Sequence, residues 1–173
     1  TLIISMMQPI QGSVPKFIQV VPGRSPEPCW MDISQRIDGY WSDCTNTHVI
    51  GGVEPTAHQK KYARASQAAC EAAMEALRPG KLASDVSAAA ETAFKKHGLS
   101  MAHYTGHQLG VIVNELPRPV PYDHTPIQAG MVFAVEPGAY EGPGGTFGRA
   151  PRRSCWLLPP ARRFCHSLNG EFR

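Results

Sequence analysis

A chain of 173 residues with 42% hydrophobic and 18% charged side chains is long enough to bury the core of one domain. Its formal charge of +3 comes from one end: residues 1–148 hold 11 basic and 13 acidic side chains, while Arg149, Arg152, Arg153, Arg162, Arg163 and Arg173 follow with the single acid Glu171, so the body offers no basic face to nucleic acid. Five cysteines without a C-x-x-C pair argue for reduced thiols and a cytoplasmic setting, and the apolar opening Leu2-Ile3-Ile4-Ser5-Met6-Met7 is too short for a membrane span and lacks the basic start of an export signal.

Residues 8–30 are broken by Pro9, Gly12, Pro15, Pro22, Gly23, Pro26 and Pro28 and read as irregular connection. Met31 to Ile37 and Tyr40 to Ile50 then flank Asp38-Gly39, a dipeptide suited to a two-residue hairpin turn. Thr56-Ala57-His58-Gln59 has the form of a capping box, and the three- and four-residue spacing of Tyr62, Ala65, Ala69, Ala72, Ala73, Ala76 and Leu77 predicts a helix that Pro79-Gly80 stops. Ser84 is placed to cap a second helix to about Lys96, with Gly98 as its stop. Beyond His103, Leu109 to Val113 and Met131 to Val135 read as short strands, and Pro117 to Pro126 reads as a surface loop. Strands, two helices and further strands predict an α+β class.

A two-residue turn at Asp38-Gly39 sets Asp32 opposite Thr45 and Asp43 opposite Ser34. Both acids then leave one side of the ribbon as diagonal neighbours about 7–8 Å apart at the backbone, a separation suited to bridging two metal ions about 3.5–4 Å apart. Taken alone, the pair is better read as Asp32 capping a strand end and Asp43 as an ordinary solvated charge. His107 projects from Gly106-His107-Gln108-Leu109-Gly110, either as a satisfied core histidine or as a ligand. Glu136 ends the apolar run Phe133-Ala134-Val135, where burial without a partner would cost several kcal/mol, so it needs an arginine or a metal ion.

The order of these residues resembles a known pattern. Asp32 to Asp43 is similar to two ligands separated by eleven residues within a D-G-Y-W-x-D signature. Gly106-His107 and Glu136-Pro137-Gly138 resemble the third and fourth ligands, and Gly130-Met131-Val132-Phe133 matches the strand before the last. The two-helix stretch containing Arg78-Pro79-Gly80 is similar as well. The family is that of the pita-bread metallopeptidases, peptidase family M24, of Xaa-Pro aminopeptidase and dipeptidase type, and the likeness spans about residues 30–148.

The resemblance implies an incomplete pita-bread fold, α+β, with a curved and mostly antiparallel sheet backed by two helices. Residues 1–30 would be an irregular remnant of an amino-terminal half, 31–148 a partial catalytic domain, and 149–173 a basic tail without order. It implies two divalent ions, Mn²⁺ with Co²⁺ or Zn²⁺ as substitutes, held by Asp32, Asp43, His107 and Glu136. Glu136 would also take up a proton, and His103 would position substrate or developing charge. The substrate would be a peptide with proline second, the partners would include neither nucleic acid nor membrane, and a homodimer is compatible.

Three departures accompany the likeness. The strand expected to carry a fifth, glutamate ligand reads Gly148-Arg149-Ala150-Pro151-Arg152-Arg153, without an acid. Asn114 stands where the family has a histidine, and the segment before Asp32 is short and holds no histidine. With the composition change at Phe147, these features imply a truncated or frame-disrupted member. They keep two alternatives open, a non-catalytic pita-bread binding module and a creatinase-like amidinohydrolase.

Overall fold

The computed structural model describes residues 27–50, 54–140, 153–158 and 162–166, with the backbone alone described for 27–33, 35, 37, 46–50 and the last two segments. Strands β1 (Glu27–Ile37) and β2 (Tyr40–Ile50) form an antiparallel ribbon. Asp38 and Gly39 at its tip take φ of 50° and 90°, the left-handed pair that a two-residue turn requires. The register is the one the turn predicts: Asp32 pairs with Thr45, and Ser34 with Asp43.

Helix α1 (Ala57–Ala76) starts at a complete capping box. The Thr56 hydroxyl accepts the Gln59 amide at 3.2 Å, and the Gln59 side chain accepts the Thr56 amide at 2.8 Å. Its inner face buries Tyr62, Ala65, Ala69, Ala73 and Leu77, and the small side chains let α2 (Ala83–Lys96) and a strand of the second sheet approach closely. That sheet has the order β3 (Gly106–Gln108), β4 (Val132–Val135), β5 (Arg153–Leu158), β6 (Arg162–His166), all antiparallel. Phe94, Ile127, Phe133 and Val135 complete the core between helices and sheet.

The structure departs from the sequence-based expectation in several places. Glu27–Trp30, expected to be irregular, extends β1, because the eleven residues of β2 offer partners along its whole length. Leu109 to Val113 is a tight loop, since the Glu115 amide turns back to the Gln108 carbonyl at 2.7 Å and ends β3 there. Ser84 does not cap α2. The Ala83 and Ser84 amides bond to the carbonyls of Thr125 and Asp123, and the Asp85 carboxylate accepts the Leu82 amide, so the helix begins before Ser84. Pro117, Pro119 and Val120 are buried within the expected surface loop. The tail beyond residue 149, expected to lack order, supplies β5 and β6: the open edge of β4 pairs with the β-prone run Ser154-Cys155-Trp156-Leu157-Leu158, and tertiary pairing overrides the arginine-rich composition.

Candidate metal centre

Three distant segments bring their polar residues together. Asp43 lies on β2, His107 on β3, and Glu136 one residue beyond β4. All are buried, at 3%, 2% and 0% exposure. The strand pairing dictates the encounter, because His107 stands opposite Ala134, and Glu136 is anchored by its own amide to the Thr105 carbonyl at 2.8 Å. The ribbon reaches the same place through the Trp41 amide, which donates to the Gly110 carbonyl at 2.8 Å.

The imidazole of His107 is oriented by one bond. Its Nδ1 lies 3.0 Å from the Gln108 carbonyl, an atom that can only accept, so Nδ1 carries the proton. Nε2 then points at two carboxylates, 3.4 Å from Asp43 Oδ2 and 3.5 Å from Glu136 Oε1. A proton on Nε2, or a cation among the three atoms, would make these approaches favourable. Donor atoms bound to one ion at about 2.1 Å with tetrahedral angles are about 3.4 Å apart, close to the two distances from His107 Nε2.

Among the described residues no group of three or more histidine, cysteine, aspartate or glutamate side chains is placed to hold a metal ion. Asp43, His107 and Glu136 meet through the two contacts of His107 Nε2 and do not complete such a group. Asp32, the remaining expected ligand, lies opposite Thr45 in the ribbon, and its side chain is outside the described residues.

The sequence model of metallopeptidase family M24 matches residues 14–152 of the chain. The chain belongs to metallopeptidase family M24. Over 104 residues it is 40% identical to "Probable dipeptidase PepE" of Mycobacterium tuberculosis, covering 59% of this chain and 27% of that protein. Over 112 residues it is 33% identical to the Xaa-Pro dipeptidase of Pyrococcus furiosus, covering 64% and 32%. Among solved structures, dipeptidase PepE from Mycobacterium ulcerans superimposes with a TM-score of 0.74 at 33% identity, over 84% of this chain and 39% of that one. The prolidase from Pyrococcus furiosus gives 0.71 at 27% identity, over 84% and 42%. The chain therefore spans 27% to 32% of the length of these curated relatives. It has their pita-bread fold, and members of family M24 are dinuclear metal-dependent enzymes.

Around these three residues the structure arranges side chains that the sequence pattern singled out and others that it missed. His103 has its Nδ1 2.7 Å from the Tyr104 carbonyl and its Nε2 2.7 Å from the Tyr140 hydroxyl. In the neutral ring Nδ1–H donates to the carbonyl, and Nε2 accepts the phenolic proton. Asn114 Oδ1 accepts Arg118 Nε at 3.0 Å, and that guanidinium lies over the Tyr104 ring, which in turn meets His107 edge-on. Tyr140 and Arg118 had a faint signal in the sequence: each lies four residues after a polar residue already singled out, Glu136 and Asn114. The position expected to hold a fifth ligand, residues 148–153, lies largely outside the described residues, and its sequence holds no acid.

Proposed function

We infer that the protein is a metal-dependent hydrolase of aminopeptidase type that releases the first residue from peptides or dipeptides with proline second. The observation that carries this reading is the buried approach of His107 Nε2 to the carboxylates of Asp43 and Glu136, at 3.4 and 3.5 Å. Names of relatives support the substrate class, since one is an Xaa-Pro dipeptidase and another a prolidase.

Asp32, Asp43, His107 and Glu136 would hold the two divalent ions, Mn²⁺ with Co²⁺ or Zn²⁺ as substitutes, which supply an activated water and polarise the scissile carbonyl. The bond from Nδ1 to Gln108 keeps His107 in the tautomer that offers Nε2 as a ligand. Asp43 would contribute a buried carboxylate to the ions' coordination. A Glu136 carboxylate oxygen takes the proton of the attacking water and returns it to the departing proline nitrogen, so that hydrolysis leaves the residue unchanged. His103, fixed by Tyr104 and Tyr140, positions the substrate. Asn114, bound to Arg118, provides hydrogen bonds where a histidine would exchange protons.

One observation favours a second reading, a pita-bread binding module without turnover. Residues 148–153 offer no carboxylate to balance a second ion, and the Asn114 amide does not titrate. Dialysing the full chain against Mn²⁺, counting bound metal and following release of the first residue from an Xaa-Pro dipeptide separates the two. Metal uptake lost in Asp43→Asn, with turnover lost in Glu136→Gln, is the result expected of the enzyme. Uptake without turnover fits the module, and turnover of creatine instead would point to an amidinohydrolase. A chain that takes up no Mn²⁺ would refute the metal-centre reading.

A further inference from the structure

Thr45 is fully buried on the ribbon face that also buries Ser34 and Asp43. Its Oγ1 has no hydrogen-bond partner among the described residues. Buried hydroxyls are normally satisfied, and a β-branched residue that served only to pack a closed strand face would be better as valine, which has the same shape and no polar atom. The hydroxyl is therefore a cost without a compensating bond among the described residues. Its position says where a partner would come from. Thr45 is two residues along β2 from Asp43, and strand side chains at that spacing leave the same face. It also pairs directly with position 32, the other acid expected to hold metal.

We propose that Thr45 is a positioning residue of the cation site, its hydroxyl donating to an oxygen of the ion's coordination shell once the site is loaded. The inference rests on the metal-centre reading above and deepens it. Hydrogen bonds of this kind fix the orientation of first ligands, and their loss weakens metal affinity about 10–100-fold. A hydroxyl can supply such a bond and an isosteric methyl cannot.

The test compares Thr45→Val and Thr45→Ser with the parent in the full chain, by calorimetric titration with Mn²⁺ and by thermal unfolding without metal. Thr45→Val is expected to weaken Mn²⁺ binding about tenfold or more while leaving the metal-free melting temperature equal or higher, because an unsatisfied polar atom has been removed. Thr45→Ser is expected to bind Mn²⁺ like the parent. A Thr45→Val chain that binds Mn²⁺ as tightly as the parent, or that melts lower without metal, overturns the proposal and leaves the metal centre standing. A parent that takes up no more Mn²⁺ than Asp43→Asn overturns both.

Discussion

A single methyl group at residue 106 would separate the histidine from its acids. Gly106 pairs with Val135, and a Cβ built on it would be driven into the Ala134 carbonyl oxygen while lying 3.1 Å from Ala134 C and 3.2 Å from Val135 Cα. All three obstacles are backbone, so no rotamer change relieves them, and β3 must lift from β4. Overpacking of this kind costs about 3 kcal/mol, the upper end of the usual range, because the strain cannot spread into side chains. At about 2–4 °C per kcal/mol for a chain of this size, Gly106→Ala should melt about 6–12 °C below the parent. His107 is the next residue, so lifting the strand also moves Nε2 away from Asp43 and Glu136, and Mn²⁺ affinity should fall in the same variant. Far-UV circular dichroism melts and Mn²⁺ titrations, run in parallel, read the two effects. A variant that melts within about 2 °C of the parent and binds Mn²⁺ equally would refute the claim that this strand contact assembles the site.

At Gly138 the obstacles differ: an added Cβ would meet His103 Nε2 at 2.8 Å and the Tyr140 hydroxyl at 2.9 Å, both side-chain tips. Gly138→Ala should therefore keep its melting temperature within about 4 °C, while the imidazole resonances of His103 shift as its bond to Tyr140 breaks. Phe94→Ala empties a fully buried position between the helices and should cost about 3–5 kcal/mol, seen as a lower urea midpoint with an unchanged slope. Burial tends to raise the pKa of Asp123, but hydrogen bonds from the Thr125 hydroxyl and amide and the Arg118 amide, with the nearby His124 charge, outweigh it and hold the carboxyl below 3.8. Stability from a group depressed in the folded state is complete above the unfolded value of 3.8 and lost as pH falls through the lower folded value. Asp123→Asn should thus flatten the acid limb of the melting profile below that pH, and an unchanged limb would remove Asp123 as its cause.

Local chemistry made much of this architecture legible. The Asp38-Gly39 dipeptide was sufficient to place Asp43 opposite Ser34, because a two-residue turn leaves no freedom in pairing. The capping box at Thr56 likewise marked the start of α1, since both of its bonds close within four residues. What escaped was decided between distant segments. Ser84 is a good cap in isolation, yet the carbonyls of residues 123 and 125 already satisfy the amides it would serve. The apolar stretch after Gln108 has strand-like composition, but a single carbonyl there receives both the Glu115 amide and the His107 ring proton, and the chain turns to allow it. The acids and histidine could be nominated from pattern. That the Tyr140 phenol bonds to His103 follows only from the loop path beyond Glu136, for which no local rule exists.

The ribbon tip carries a final consequence. Side chains along a strand alternate between two faces, so adding or deleting one residue at the tip would turn Ser42 or Cys44 toward His107 and send Asp43 to the other side. The residues of that bend can vary as long as their backbone still turns; their number cannot. A buried charge is thus assigned its address by the length of an exposed corner that touches none of the chemistry.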